Sequence, residues 1–420
     1  MKAYVAALLI LVFSLGAKEC DLTLVGPVRM ADGIGRQTPE LIEALCPELS
    51  ISFIKSRLFE KRDVAKPVKN IFKNSGVENP GKVLIFEDLI WAYLKKSEQK
   101  KIFWKNFKLR EDRTDQIRLA YTMAESSQIS NQWVQFFNQH FDALLVPDEF
   151  LVEVYKSSGI RIPVFTLPLG LNLQPYFNAQ TQKTKTFTFA NFSSCFPRKN
   201  LLKLVQAFDM AFHNRPNVQL KLCCRRTSGS YLPTIKKEIR KRKIKNIVLA
   251  TKRVDEKTYL DRFLSVNCYV NIAVGEGFSI QPREAMALGI PVIVSDNSAQ
   301  TTIANSELVR VVPSTIPVSS KKVWGKKEFG VFKDCRVEDV ADALKDMYEH
   351  YDHYCENCDA AREWVRQYDY NNIKNLYKNI VKPKYIVVGG QDKILENGFM
   401  TSSKEFAEKY QRLLNVHPSS

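Results

Sequence analysis

The 420-residue chain has no fixed-period repeat and no long low-complexity segment, which excludes a solenoid and a largely disordered polypeptide. It also lacks a disulfide framework. Its nine cysteines, among them the adjacent Cys223 and Cys224, are odd in number and irregularly spaced, which favours reduced thiols. The most apolar stretch near the start, Val5 to Phe13, is too short to span a bilayer comfortably. What remains is an ordinary globular composition, 45% hydrophobic and 25% charged. That length exceeds what one core comfortably supports, so two domains are expected. With 62 basic against 45 acidic residues the formal charge is +17, which favours anionic partners: phosphorylated donors, acidic lipid surfaces or nucleic acid. Charge alone does not choose among them.

Met1 to Ala17 has a lysine, an apolar stretch and small residues after it, the form of a secretory leader. Two features oppose a lumenal protein, namely the odd, irregularly spaced cysteines and a sequon, Asn191-Phe192-Ser193, at the end of the strand candidate FTFAN, the sheet end where ligands of such folds bind. Localisation therefore stays open between export and a cytoplasm-facing protein held at a membrane by an uncleaved leader. From Leu22 to Leu169, strand candidates (LTLVG, LSISFI, KVLIFE, LAYTM, ALLVP, PVFTLP) alternate with helical segments. A polar stretch, Leu171 to Thr186, reads as a linker, and a second alternation follows (FTFAN, VQLKLCC, NIVLAT, CYVNIA, PVIVS, VRVVP). Such alternation predicts two mostly parallel sheets with helices on both faces, their ligands lying beyond the carboxyl ends of the strands. The expected divisions are a leader over 1–19, an amino-terminal Rossmann-like domain over 20–180, a carboxy-terminal one over 184–381 and an extension over 382–420. Lys95 to Arg113 and Ile235 to Lys245 are basic and amphipathic, suited either to a solvated helix packed on its lobe or to an anionic membrane surface.

The stretch Glu276 to Ser295, EGFSIQPREAMALGIPVIVS, is the most informative. A short β-branched run ends at Val274, and Gly275 and Gly277 break it. Pro282 suits a first helical turn, Glu284 to Leu288 is strong helix-forming sequence, Gly289 fits the position after the helix and Pro291 stops continuation. Amides at such a helix start carry partial positive charge suited to a phosphate. Glu284, one turn in, can accept paired hydrogen bonds from a ribose diol.

These residues resemble the E-x7-E signature of glycosyltransferase family 4, the retaining group with the GT-B fold. Asp32 to Leu45 (DGIGRQTPELIEAL) resembles that family's amino-terminal G-x-G-R loop and helix. Phe187 to Phe208 (FTFANFSSCFPRKNLLKLVQAF) resembles its first carboxy-terminal strand, phosphate loop and helix. The resemblance covers roughly Asp21 to Val381. It implies a nucleoside-diphosphate sugar as donor, no further cofactor, no nucleic-acid partner, and a glycan, lipid or protein acceptor. It implies that Lys199 and Arg198 stabilise the departing diphosphate, with Gly35 and Arg36 completing the cradle from the other lobe. Gly277, Phe278, Ser279 and Glu284 would line the donor, and Glu276 would position or stabilise the sugar without attacking it. The family's arginine directly after the first carboxy-terminal strand is missing, and Arg198 is the candidate substitute. Where many relatives place a histidine, this chain has Ala124, Glu125 and Ser126. Glu125 could contact acceptor or sugar, or cap a helix. No Asp-x-Asp motif occurs, so no metal is expected, and His350, His353, Cys355 and Cys358 spread too widely on a helix to share one ion.

Overall fold

The computed structural model describes residues 20–30, 33–73, 81–88, 115–182, 184–224, 231–252, 254–324 and 329–416. The leader, Asp32 and the basic stretch Lys95 to Arg113 lie outside these residues. The amino lobe holds β1 (Leu22–Val28), β2 (Ile51–Phe59), β3 (Val83–Phe86), β4 (Ile117–Tyr121), β5 (Ala143–Val146) and β6 (Val164–Thr166). They form one parallel sheet in the order β2-β1-β3-β4-β5-β6. The carboxy lobe holds β7 (Phe187–Asn191), β8 (Val218–Leu222), β9 (Ile247–Leu249), β10 (Cys268–Asn271), β11 (Val292–Ser295) and β12 (Arg310–Val312), parallel in the order β12-β11-β10-β7-β8-β9. The two-lobed α/β architecture expected from the alternation is thus present.

The near-continuous apolar strands follow from burial on both faces. Because successive side chains point to opposite sides of a strand, Val83 and Ile85 enter one core while Leu84 and Phe86 enter another. In the carboxy lobe Tyr269 and Val292 take one side and Val270 and Ile293 the other. Pro27, which has no N–H for a ladder, sits where β1 and β2 shift register between Gly26 and Val28. Leu201, Leu204, Val205, Phe208 and Phe212 line the buried face of helix Leu201–Phe212, as their helical spacing predicts.

The polar stretch between the lobes is built in. It carries the short helix Gln174–Asn178 with Tyr176 buried, and Leu171 bridges Asp369, so the outgoing and returning chains cross side by side. Helix Tyr370–Val381 then packs on the amino lobe, with Tyr377 donating to the Pro168 carbonyl and Lys374 pairing with Glu48. One apolar cluster consequently runs through both lobes, from Leu22 and Leu41 by way of Leu171, Tyr176 and Tyr370 to Tyr269 and Val292.

The extension forms a three-stranded sheet, β15 (Tyr385–Val388), β16 (Lys393–Ile394) and β17 (Gly398–Thr401), followed by helix Lys404–Leu414. It docks on the amino lobe: Phe399 and Phe406 meet Phe165, and Lys409 pairs with Asp142. Asp392 fastens it, accepting from the Val164 amide at 3.2 Å and from Ser402 N and Oγ at 2.8 Å each. Asp392→Ala leaves these donors without their acceptor and is expected to cost about 2–3 kcal/mol of stability, measurable as a lower midpoint in chemical denaturation.

Candidate functional site

Residues just past the carboxyl ends of the strands in one lobe meet those past the strands of the other. After β10, the chain turns through Gly275 into helix Ile280–Ala287. Gly275 is required by close approach, since a Cβ there would lie 2.2 Å from the Glu125 carbonyl of the amino lobe. Gly289, at φ +72°, ends the helix as its sequence position predicts. Ser279 enters the helix at φ 67°, ψ 69°, a left-handed conformation costing about 1–2 kcal/mol for a non-glycine residue. Its Oγ accepts from Asn271 Nδ2 at 2.8 Å.

Glu276 is buried, and its amide donates to Ser298 Oγ at 2.8 Å. Its carboxylate receives Lys199 Nζ on Oε1 and Arg198 Nη1 on Oε2, the latter at 2.9 Å. Arg198 also donates to the Gly275 carbonyl at 3.1 Å and reaches across the lobes to Glu125 Oε1 at 3.1 Å. Both cations lie on the short turn Pro197–Lys199, which Asn200, left-handed at φ 58°, joins to helix Leu201–Phe212. Cations are unfavourable at a helix start without an anion, and the two carboxylates supply it. Burial pushes the Glu276 carboxyl up, but Lys199 and Arg198 outweigh it and hold the group at about 2. Burial and the neighbouring Arg198 bring Lys199 down to about 8, against the pull of Glu276. Arg198 is raised, since Glu125 and Glu276 overcome its burial.

The second glutamate is more fully engaged than the sequence implied. Glu284, 1% exposed, accepts from Arg36 Nη2 at 2.6 Å, Tyr176 Oη at 3.0 Å and Tyr259 Oη at 2.8 Å. Arg36, with Gly35, lies in the first turns of helix Gly33–Leu45, so G-x-G-R opens the helix. Its guanidinium meets the ribose-binding candidate, and Glu40 at 3.7 Å adds a second anion. Burial works against the charge, but Glu284 and Glu40 raise the Arg36 pKa well above the usual arginine value. Phe278 points inward, edge-on to Tyr368 and beneath the guanidinium of Arg283 at 3.9 Å, and its carbonyl accepts from Arg283, so its side chain packs in the core. Gly277 lies against Met123, 3.0 Å from where its Cβ would be.

The structure therefore brings Glu276, Lys199, Arg198 and Glu125 into one cluster and Glu284 with Arg36 into another. Sequence reasoning missed Asn271, Tyr176, Tyr259 and the fully buried Arg283, which donates to the Phe278 and Ser279 carbonyls and lies 3.9 Å from Asp148 of the amino lobe. Tyr176 and Tyr259 occupy apolar helix faces and carry no signal beyond their hydroxyls. Arg283 does carry one, a charge at a core position. His350 and His353 bond Asp346 and Glu356 respectively. Among the described residues no helix is long and apolar enough to cross a membrane.

Residues 174–312 match the family model described as glycosyl transferases group 1. No curated protein matches the chain in sequence. Among solved structures, sucrose-phosphate synthase from Thermosynechococcus elongatus is similar at a TM-score of 0.61 and 14% identity, with 84% of this chain and 96% of that one covered. A glycosyltransferase from Rickettsia africae gives 0.60 and 14%, covering 87% and 98%. Anabaena HepE, in complex with UDP and glucose, gives 0.58 and 11%, covering 84% and 96%. Residues 174–312, which match the glycosyl transferases group 1 model, hold Arg198, Lys199, Glu276 and Glu284, and the chain has the GT-B fold.

Proposed function

We propose that the protein is a retaining, metal-independent glycosyltransferase of family 4. It moves a hexosyl or pentosyl group from a nucleoside-diphosphate sugar to a glycan, lipid or protein acceptor. The observation that carries this reading is the convergence of Lys199 and Arg198 on buried Glu276 at the mouth of the carboxy-terminal sheet. In the transfer, the bond from the anomeric carbon to the diphosphate oxygen breaks while the acceptor oxygen bonds to the same face of the sugar. The leaving phosphate takes the acceptor proton. Negative charge gathers on the diphosphate, where fixed cations in a partly dry site are most effective. Lys199 and Arg198 supply it by exchanging a carboxylate for phosphate oxygens. Glu276, which the two cations hold anionic before the donor binds, supports the positive charge developing on the sugar. The exposed lysines of helix Leu232–Lys241, packed on its lobe by Leu232 and Ile235, suit an acidic lipid surface and belong to the same proposal.

Incubation with a panel of nucleotide sugars should release nucleoside diphosphate. A second reading, a catalytically silent module that binds nucleotide or glycan, is favoured by one observation: the Glu284 carboxylate is already occupied by Arg36 and two tyrosines. Nucleotide binding without release from any sugar in the panel would establish it.

The charge of Lys199 sets a pH dependence. The cation attracts phosphate, and it is present below about 8 and lost above, so nucleoside diphosphate affinity should fall as the pH rises through that value. Glu276 stays anionic down to about 2 and contributes no change in this window. Calorimetric titration from pH 7 to 10 reads this directly, and a flat affinity would remove Lys199 from the phosphate site.

A further inference from the structure

Between β12 and helix Val337–Glu349 the carboxy lobe carries an antiparallel hairpin, β13 (Ile316–Ser319) and β14 (Val331–Asp334), paired from Ile316 with Asp334 to Ser319 with Val331. It belongs to neither parallel sheet and contains none of the site residues read from the sequence. Yet it touches three parts of the site at once. Asp334 accepts from Asn200 Nδ2 at 2.7 Å and pairs with Lys203 at 2.6 Å, which ties it to the turn that bears Arg198 and Lys199. Phe332, 1% exposed, lies against Gly275 immediately before Glu276, its ring 2.6 Å from where a Cβ would be. Its far end crosses to the amino lobe: the Ser127 amide donates to the Val331 carbonyl at 3.1 Å, the Val331 amide donates to Ser127 Oγ at 2.9 Å, and Phe329 packs on Trp133.

Gly330 makes that crossing fit. It holds φ +70°, and a Cβ there would stand 2.6 Å from the Gln128 amide nitrogen and 3.1 Å from that of Ser127. A side chain would therefore strain the hairpin and push away the loop that bears Glu125.

We propose that hairpin β13–β14 is an interlobe clasp whose Gly330 and Val331 grip Ser127 and thereby hold Glu125 against Arg198 across the cleft. The amino lobe otherwise presents Glu125 on a loop following β4, and the pair with Arg198 spans the two lobes. Two backbone-directed hydrogen bonds two residues from Glu125 fix its approach, while Asp334 and Phe332 fix the other side of the same pair. Gly330 and Ser127 are positioning residues, acting through Glu125. Their effect on transfer rests on the glycosyltransferase reading, whereas the clasp itself does not.

Two measurements on the full-length protein separate these. In hydrogen exchange, the amides of residues 126–129 should be protected in the wild type and lose protection about tenfold in Gly330→Ala and, more weakly, in Ser127→Ala. Protection of Asn191 to Asn200 should stay unchanged in both. In turnover with a nucleotide sugar that the wild type consumes, Gly330→Ala should lower kcat about tenfold with nucleoside diphosphate affinity within twofold. The same substitution in a Glu125→Ala background should cost little more than Glu125→Ala alone, since contacting groups couple non-additively. Equal exchange in all variants overturns the clasp. Lost protection with an equal fold-loss of kcat in both backgrounds overturns its action through Glu125. Lost protection in a protein that consumes no nucleotide sugar supports the clasp and refutes the transferase reading instead.

Discussion

Lys199→Ala is expected to reduce kcat by about a hundredfold or more, the equivalent of roughly 3 kcal/mol of transition-state stabilisation from one lost charged donor. The protein should remain folded. Lys199 is a half-buried cation that loses much of its solvation on folding, and Glu276 retains Arg198 at 2.9 Å and Asn271 Nδ2 at 3.5 Å after the lysine is gone. Removing the cation thus relieves one desolvation cost while giving up one attraction, and such exchanges often come near balance. Donor affinity should fall less than kcat, because the charge on the diphosphate grows as the sugar bond breaks and the lysine is worth most at that point. Lys199→Arg keeps the charge on a different reach and should recover part of the rate. Steady-state and single-turnover assays with a consumed nucleotide sugar read these effects. Wild-type kcat in Lys199→Ala would leave Arg198 as the principal cation and require the phosphate position to be redrawn around it.

Most of the fold was legible because its physics is local. Short β-branched runs such as Val83–Phe86 and Val292–Ser295 can be read as strands, and the Leu201 to Phe212 face as a helix, from period alone. Glu276, Lys199 and Arg198 were singled out by their motifs' resemblance to a family, and the two cations also because positive charge at a helix start is anomalous without an anion. Which partner each charge takes was hidden, because it depends on contacts between residues far apart in the chain. Arg36 and Glu284 are 248 positions apart, and nothing in either segment shows that they meet. Leu171 to Thr186 gave a polar linker signal, while its single buried aromatic, Tyr176, is the residue that reaches Glu284. Hairpin β13–β14 was missed because its strands are short and partly exposed. In β13 only Val318 is buried, so the alternation that marks a half-buried strand is nearly absent.

Glu284→Ala should weaken nucleoside diphosphate binding by about a hundredfold while also destabilising the protein. Two hydrogen bonds from a ribose diol to a carboxylate are worth roughly 3 kcal/mol together, which converts to that loss of affinity. The stability effect has a separate origin. The substitution leaves the Arg36 guanidinium and the Tyr176 and Tyr259 hydroxyls without their shared acceptor, and breaking one side of a buried pair costs about 3–5 kcal/mol. The two roles separate in the double variant Arg36→Ala/Glu284→Ala, which removes the stranded charge. Its thermal midpoint should recover most of the loss while its nucleotide affinity stays at or below that of Glu284→Ala. Arg36→Ala alone should bind a nucleoside without phosphates more tightly than the wild type, because ribose no longer competes with the guanidinium for Glu284. It should bind the diphosphate with little gain, since on the proposed reading Arg36 of the wild type turns from Glu284 to the phosphates when ribose binds, and the variant lacks that contact. If Glu284→Ala loses stability but keeps wild-type nucleotide affinity, Glu284 is a strut between the lobes and the ribose is held elsewhere.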